Sequence, residues 1–246
     1  MEKTEALVGR ASARGGLQPA FLGLRQCLAI VAKDLRSEIR TKEALNTSLA
    51  FSVVIFVLFS FAFDPGVLNV QDFSGGLLWL AFAFAGALSL NRSFARELQN
   101  DCLDALVASP IAPGILFLGK AIANFVLLLA VEIVALAVFS VMYDVHLRPQ
   151  LGSIVLVTLL TTWAVTVIGT AFSALTVNLR MRELMLPILT YPFLIPPLMA
   201  AILLTTDLFA GKPISADNTI WVRVLVAFDV IFSLLAVVFI DIVLVG

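Results

Sequence analysis

Residues 116–143 read LFLGKAIANFVLLLAVEIVALAVFSVMY, a run in which Lys120 and Glu132 are the two charged residues. An α-helix needs about 20 mostly apolar residues to cross the roughly 30 Å hydrocarbon core of a bilayer. This run is longer than that. It therefore predicts a membrane-spanning helix.

Five further apolar runs lie at about residues 45–63, 74–90, 151–177, 184–204 and 220–245. Of the 246 residues, 61% are hydrophobic and 13% are charged, and the mean hydropathy is +1.04. A soluble fold could not keep so many apolar residues away from water. We therefore predict an all-α membrane protein in which residues 20–246 form a single domain of six transmembrane helices. The formal net charge of -1 gives no reason to expect a nucleic-acid partner.

The chain before the first span divides into two parts. Residues 1–19 contain Gly9, Gly15 and Gly16 but no apolar core, so we expect a disordered tail and not a secretory signal. From residue 21 to residue 45, apolar residues recur every three or four positions, which predicts an amphipathic helix lying in the membrane interface. The alternative is a surface helix packed on protein. The apolar residues are Phe21, Leu24, Leu28, Val31, Leu35 and Ile39, and the cations on the other faces are Arg25, Lys33, Arg36 and Arg40.

The distribution of Lys and Arg orients the predicted bundle, because these residues are retained on the cytoplasmic side of a membrane. One side holds Lys3, Arg10, Arg14, Arg25, Lys33, Arg36, Arg40, Lys42, Arg92, Arg96, Lys120, Arg180 and Arg182. The other side holds Arg148, Lys212 and Arg223. We therefore expect both termini to be cytoplasmic.

Residues 91–120 form the one long polar segment between two predicted spans, on the cytoplasmic side. Phe94, Leu98, Cys102 and Leu106 recur every fourth residue, and Pro110 lies beyond the end of the pattern. This pattern predicts a short helix, apolar towards the membrane and acidic outwards, that docks a soluble partner. The alternative is a loop that only joins two spans. The candidate partner-binding residues are Arg96, Glu97, Asn100, Asp101, Leu103, Asp104 and Leu106.

Two acidic residues fall inside predicted spans, where an ionised group costs at least about 2.5 kcal/mol. Glu132 lies twelve residues beyond Lys120, and Asp229 lies eight residues beyond Trp221. At about 1.5 Å per residue, these offsets are about 18 Å and about 12 Å from the two membrane faces. Both side chains should face protein or water. They either clamp helices together, with a bound proton or a hydroxyl partner, or line a switch between conformations.

Two smaller polar patterns mark predicted spans. Thr158, Thr162, Thr166 and Thr170 make a stripe that favours helix packing over a solute path. Four prolines interrupt the fifth span, at residues 187, 192, 196 and 197. They predict either a hinge or a fixed curvature.

Several other residues give weaker signals. Residues 114–120 fit the GxxxxGK part of a phosphate-binding loop, but Ala121 follows and no strand precedes, so we reject nucleotide binding and expect Lys120 to reach the inner interface. His146 in an external turn is more simply a solvated residue than a haem ligand. Cys27 and Cys102 form neither a CxxC pair nor a CxxCH run. We therefore expect neither a metal site nor covalently bound haem.

Three stretches carry a resemblance to a known family. They are RELQNDCLDALVASPIAPGILFLGK at 96–120, MRELMLPILTYPFLIPPLMAA at 181–201 and AFDVIF at 227–232. The sequence resembles the CcmB family, also called haem exporter protein B, over roughly residues 21–241. The longer tail before residue 21 and the Val245-Gly246 end depart from the family pattern.

The resemblance implies the permease subunit of an ABC transporter for cytochrome c maturation in the bacterial inner membrane. It implies no ATPase site in this chain, with ATP bound by a CcmA-like subunit, and it implies CcmC-like and CcmD-like membrane subunits and the haem chaperone CcmE as partners. A second membrane subunit would pair with this one. Haem is the ligand that the complex would export or hand over, but no haem-contact residue is identifiable. The alternatives are a permease of another ABC exporter, for lipid, drug or glycan, and a membrane scaffold or carrier without an ATPase partner.

Overall fold

A computed structural model describes residues 2–62, 70–93, 111–145, 147–176 and 181–245 of the chain. Within these ranges, the side chains are described for residues 22–62, 73–93, 111–145, 147–176, 181 and 184–240. The described residues form seven α-helices, one short 3-10 turn at Arg148–Gln150 and no β-strand. The helices are α1 (Glu2–Thr41), α2 (Glu43–Ala62), α3 (Val70–Leu90), α4 (Pro113–Met142), α5 (Leu151–Thr176), α6 (Arg182–Phe209) and α7 (Thr219–Val245).

Six segments are long and apolar enough to cross a membrane, and they confirm the predicted spans. They are Glu43–Ala62, Phe73–Leu90, Pro113–Met142, Arg148–Thr176, Leu184–Phe209 and Thr219–Ile240. The fifth span was predicted to end at residue 204, but the helix continues through Thr205 and Thr206 to Phe209. The chain is therefore an all-α, multi-pass membrane protein.

Helix α1 begins earlier than the sequence pattern indicated. It runs from Glu2, and the expectation that residues 1–19 form a disordered tail stays a prediction. Residues 2–14, EKTEALVGRASAR, are rich in Glu, Lys, Ala, Leu and Arg, which have high helix propensity even without an apolar stripe.

The main hydrophobic core draws on all six spans. One buried member from each, in chain order, is Phe56, Ala81, Ala135, Val157, Ala200 and Leu225. Two smaller clusters, around Phe117 and around Leu128, lie further along the bundle. Apolar side chains also cover the outside, where Phe61 is 86% exposed and Val141 is 84% exposed. Such a surface suits lipid and not water.

Small residues bring the spans close together at particular crossings. A Cβ atom on Gly75 of α3 would lie 2.8 Å from the carbonyl oxygen of Ile202 in α6. A Cβ atom on Gly169 of α5 would meet the side chain of Leu90. Membrane helices associate through such contacts because apolar burial gives little driving force within lipid. The four prolines of α6 lie inside a helix that continues through them.

Candidate functional site

A group of polar side chains surrounds the end of α3, directly before residues 94–110. We call Asp34, Ser93, Lys120, Asn124 and Thr170 the root cluster. Lys120 is fully buried, and its Nζ atom donates to the Ser93 carbonyl oxygen at 2.9 Å and lies 3.3 Å from Asp34 Oδ2. Lys120 is thus enclosed by protein, and the expectation that it reaches the membrane interface stays a prediction. Helix α1 lies over this part of α4 and supplies a carboxylate instead.

The rest of the root cluster ties α3 to α4 and α5. The Asn124 side-chain amide donates to Ser93 Oγ at 2.8 Å and to Thr170 Oγ1 at 2.9 Å. One turn further along α5, Ser173 Oγ donates to the Leu90 carbonyl oxygen at 3.0 Å. Because Ser93 immediately precedes residue 94, three helices hold the point at which the chain enters the predicted docking segment.

The junction between α1 and α2 is held by a second acid of α1, which is buried. Glu38 is 1% exposed, and its Oε1 atom accepts from the backbone N–H groups of Ala44 at 2.7 Å and Leu45 at 3.1 Å. These donors belong to the first turn of α2, which has no helical acceptors and favours negative charge. Lys42 adopts a φ of 55° at the break between the two helices. Glu38 therefore fixes where α1 ends and the first span begins.

Sequence reasoning missed both Asp34 and Glu38. Their spacing of four residues places them on one face of α1, next to the apolar stripe and roughly opposite Arg25, Arg36 and Arg40. The signal available in the sequence was a pair of acids four residues apart, in the segment from residue 21 to residue 41 whose other charged residues are cations. Their partners, on α4 and α2, could not be inferred from it.

The predicted partner-binding residues lie outside the described part of the chain. This holds for Arg96, Glu97, Asn100, Asp101, Leu103, Asp104 and Leu106, all within residues 94–110. Their docking role stays a prediction. His146 also lies outside the described residues.

Glu132 is buried between α4 and α5. It is 1% exposed, and its Oε2 atom accepts a hydrogen bond from Thr162 Oγ1 at 2.5 Å. The threonine stripe of α5 faces α4 at two levels, since Thr162 contacts Glu132 and Thr170 contacts Asn124. Thr166 instead donates within its own helix. These contacts favour helix packing as the role of the stripe.

Asp229 has a different environment. It is 7% exposed, and neither carboxylate oxygen has a hydrogen-bond partner within the described residues. One turn further along α7, the indole N–H of Trp163 donates to Ser233 Oγ at 3.0 Å. No hydrogen bond joins Asp229 to Glu132 in the described part of the chain. The two predicted intramembrane acids are therefore separate features.

An apolar groove of about 270 Å³ lies between α3 and α6. Trp79 and Tyr191 are among the residues that line it. The Trp79 indole N–H donates to Thr205 Oγ1 at 2.9 Å, which joins the two helices beside the groove. The lining is almost wholly apolar, so the groove can accommodate an apolar group such as a hydrocarbon chain but not a charged solute.

The described residues give little support to nucleotide or metal chemistry. Residues 114–120 lie within α4 as regular helix, whereas a phosphate-binding loop needs irregular backbone whose N–H groups face the phosphate. Among the described side chains, no group of three or more His, Cys, Asp or Glu residues could hold a metal ion. Cys27 is a free thiol, and burial raises its pKa.

Comparison with known proteins gives a consistent result. A family model described as CcmB protein matches residues 25–241. Heme exporter protein B of Rhodobacter capsulatus is 33% identical over 171 residues, covering 69% of this chain and 78% of the relative. The proteins of the same name from Pseudomonas aeruginosa and Paracoccus denitrificans are 27% and 29% identical, covering 80% and 69% of this chain and 88% and 78% of the relatives. The matched region contains the root cluster and all six spans, and the chain therefore belongs to the CcmB protein family.

Proposed function

We propose that this protein is the permease subunit of an ABC transporter for cytochrome c maturation. It couples ATP hydrolysis in a separate subunit to haem export or to release of the haem chaperone. The observation that carries the proposal is the family match over residues 25–241, which includes the C-terminal part of α1 and all six spans. Relatives that are 27% and 33% identical to this chain carry the name heme exporter protein B.

ATP hydrolysis belongs to a CcmA-like partner. The described residues form helices alone, and the GxxxxGK run is part of a span whose lysine is engaged with Asp34 and Ser93. Nothing in these ranges resembles a nucleotide-binding fold, which needs a strand before its phosphate loop. CcmC-like and CcmD-like membrane subunits and a CcmE-like haem chaperone complete the proposed assembly.

The orientation follows from the charges at the two ends of the bundle. Arg92 and Lys120 lie at the end that carries the root cluster, whereas Arg148, Lys212 and Arg223 lie at the other. Together with the cations of α1, this distribution supports a cytoplasmic location for the root cluster and for both termini. The membrane would be the bacterial inner membrane.

In the proposed mechanism, closure of the ATPase subunits moves residues 94–110, and the movement passes into α3 and α4. The root cluster supports this route, because Ser93 is bonded to both Lys120 and Asn124 of α4. A packed and bonded junction transmits displacement instead of absorbing it. The chain itself forms no covalent bond with the cargo.

Charge reversal in the docking segment tests the partner assignment. Changing Glu97, Asp101 and Asp104 to Lys should abolish copurification with the ATPase while leaving membrane insertion intact, because the proposed contact is electrostatic at its rim. The matched control changes Asp144 and Asp217, at the other end of the bundle, to Lys. Unaltered copurification of the first variant would refute the docking assignment.

A second experiment separates the two interpretations of Glu132. Glu132→Gln removes the titratable proton but keeps a hydrogen-bond acceptor, whereas Thr162→Val removes the hydroxyl donor and leaves the acid. A clamp predicts that Thr162→Val weakens assembly, whereas Glu132→Gln, which keeps the acceptor, largely preserves it. A switch predicts that Glu132→Gln alone reduces ATP-linked chaperone release in an assembled complex. If Glu132→Gln and Asp229→Asn both leave assembly and release unchanged, the switch hypothesis fails for both acids.

A further inference from the structure

Helix α1 has one face committed to the bundle. A Cβ atom on Gly119 of α4 would lie 2.9 Å from Ile30 Cβ, and a Cβ atom on Gly23 would lie 2.9 Å from Ile115 Cδ1. Asp34 and Glu38 lie on the same side of α1 and make the contacts described above. Glycine at these crossings lets α1 approach the start of α4 closely.

The next face of α1 is apolar and is not covered by the described part of this chain. Leu24 is 58% exposed, Leu28 is 57% exposed and Ile39 is 63% exposed. At about 100° per residue, these three positions fall within about 60° of one another. They form a continuous apolar strip beside the bundle-facing side.

A third face carries cations. Arg25, Arg36 and Arg40 are exposed, and they also fall within about 60° on the helix circumference, adjoining the apolar strip. An apolar strip bordered by cations is the surface that binds the boundary between acyl chains and anionic headgroups. We call these three arginines, together with Leu24, Leu28 and Ile39, the lipid face of α1.

The position of α1 identifies a membrane surface as the occupant of this face. Helix α1 ends at Thr41, and the first membrane span begins at Glu43. The C-terminal end of α1 therefore lies at the level of the lipid headgroups. A lipid surface supplies both hydrocarbon for the strip and negative charge for the arginines. A soluble protein bound to this face would have to occupy the position of the bilayer surface.

We propose that anionic lipid bound to the lipid face of α1 holds the root cluster in place and thereby strengthens coupling between residues 94–110 and the spans. The connection is short. Asp34, on the bundle-facing side of α1, contacts Lys120, and Lys120 donates to the carbonyl of the residue that precedes the docking segment. The effect on coupling rests on the proposed function, whereas the lipid contact does not.

The first measurement is of binding and needs no ATPase. A spin label is placed at Leu28→Cys in a Cys27→Ser, Cys102→Ser background, and the assembled complex is reconstituted in vesicles of phosphatidylcholine with or without one quarter phosphatidylglycerol. Collision rates with oxygen and with a water-soluble nickel complex report the depth of the label. Anionic lipid should move the label deeper. Each cation near an anionic surface is worth about fivefold in binding, so Gln at positions 25, 36 and 40 should abolish the dependence.

The second measurement is of coupling in the same vesicles, as haem-chaperone release per ATP hydrolysed. We expect anionic lipid to raise this ratio by about fivefold or more in the unaltered protein, and to leave it unchanged in the triple Gln variant. Lys120→Met should keep the lipid-dependent label depth but lose the dependence of the ratio. Arg148→Gln and Arg223→Gln, which remove cations from the other end of the bundle, are the matched controls and should behave as the unaltered protein.

The outcomes are distinguishable. A label depth that ignores anionic lipid, or a triple Gln variant whose coupling still responds to it, would overturn the inference. The inference would also be overturned if chaperone release per ATP hydrolysed responded fully to anionic lipid in the Lys120→Met variant. Absence of ATP-linked release in every membrane would overturn the proposed function, and the depth measurement then decides the lipid contact alone.

Discussion

The ion pair between Asp34 and Lys120 should respond asymmetrically to removal of its two partners. Lys120 is fully buried, whereas the Asp34 side chain is 20% exposed and also lies 3.1 Å from Lys33 Nζ. Breaking a buried pair costs about 3–5 kcal/mol when it strands a buried charge. Asp34→Leu removes the Asp34 carboxylate from the buried ammonium group of Lys120, and we expect a loss of about 3 kcal/mol, at the lower end of that range, because Ser93 still accepts one of its hydrogen bonds.

The reverse change should be milder. Lys120→Met removes the buried charge, and Asp34 keeps solvent and Lys33 as partners, so the main loss is the bond to the Ser93 carbonyl, about 1 kcal/mol. In the double variant, no charge is stranded. Its stability should therefore be close to that of Lys120→Met and well above the sum of the two single losses.

The assay is thermal unfolding of the purified protein in detergent. For a chain of this size, about 1 kcal/mol corresponds to a shift of about 2–4 °C in Tm, so Asp34→Leu should lower Tm by about 6–12 °C. The pair of Asp207 and Lys212, at 3.4 Å, provides the control, because Lys212 is 71% exposed and Lys212→Met should change Tm by no more than about 4 °C. Equal losses in Asp34→Leu and Lys212→Met, or strict additivity in the double variant, would refute this reasoning.

Two further predictions concern the contact between α3 and α6. Gly75→Ala should destabilise the protein by about 1–3 kcal/mol, because its Cβ atom would overlap the backbone at Ile202, whereas Gly76→Ala has its nearest neighbour at 4.0 Å and should be neutral or slightly stabilising in the same thermal assay. Trp79→Phe should cost about 1–2 kcal/mol, since it leaves the Thr205 hydroxyl without its buried donor. A double-mutant cycle with Thr205→Val isolates that hydrogen bond, and a coupling energy near zero would contradict its contribution.

The predicted spans agree with the structure because membrane crossing is a local property of composition and length. The third span illustrates this, since the predicted 116–143 and the observed Pro113–Met142 differ by three residues or fewer at each end. The earlier start has a local cause as well. Proline is favoured in the first turn of a helix, where its missing N–H has no acceptor to lose.

The polar contacts were not predictable in the same way. Lys120 was expected at the interface because lysines near span ends usually reach the headgroups. Its partner Asp34 lies 86 positions away in the sequence, on a helix that the periodicity placed at the membrane surface without saying which span it would cover. Glu132 was correctly recognised as an acid within a span, but its partner on α5 depends on the rotation of two helices about their axes.

The amino-acid sequence by itself determined that this chain is helical, that it crosses the membrane six times, and where its polar segments fall, because the bilayer imposes one length and one polarity on every span. The tertiary structure alone decided that α1 lies over α4, that Lys120 is buried against Asp34, and that Asp229 is enclosed without a partner among the described residues. Those outcomes depend on which helices become neighbours and at what rotation. Within a uniformly apolar bundle, hydropathy carries no information on either.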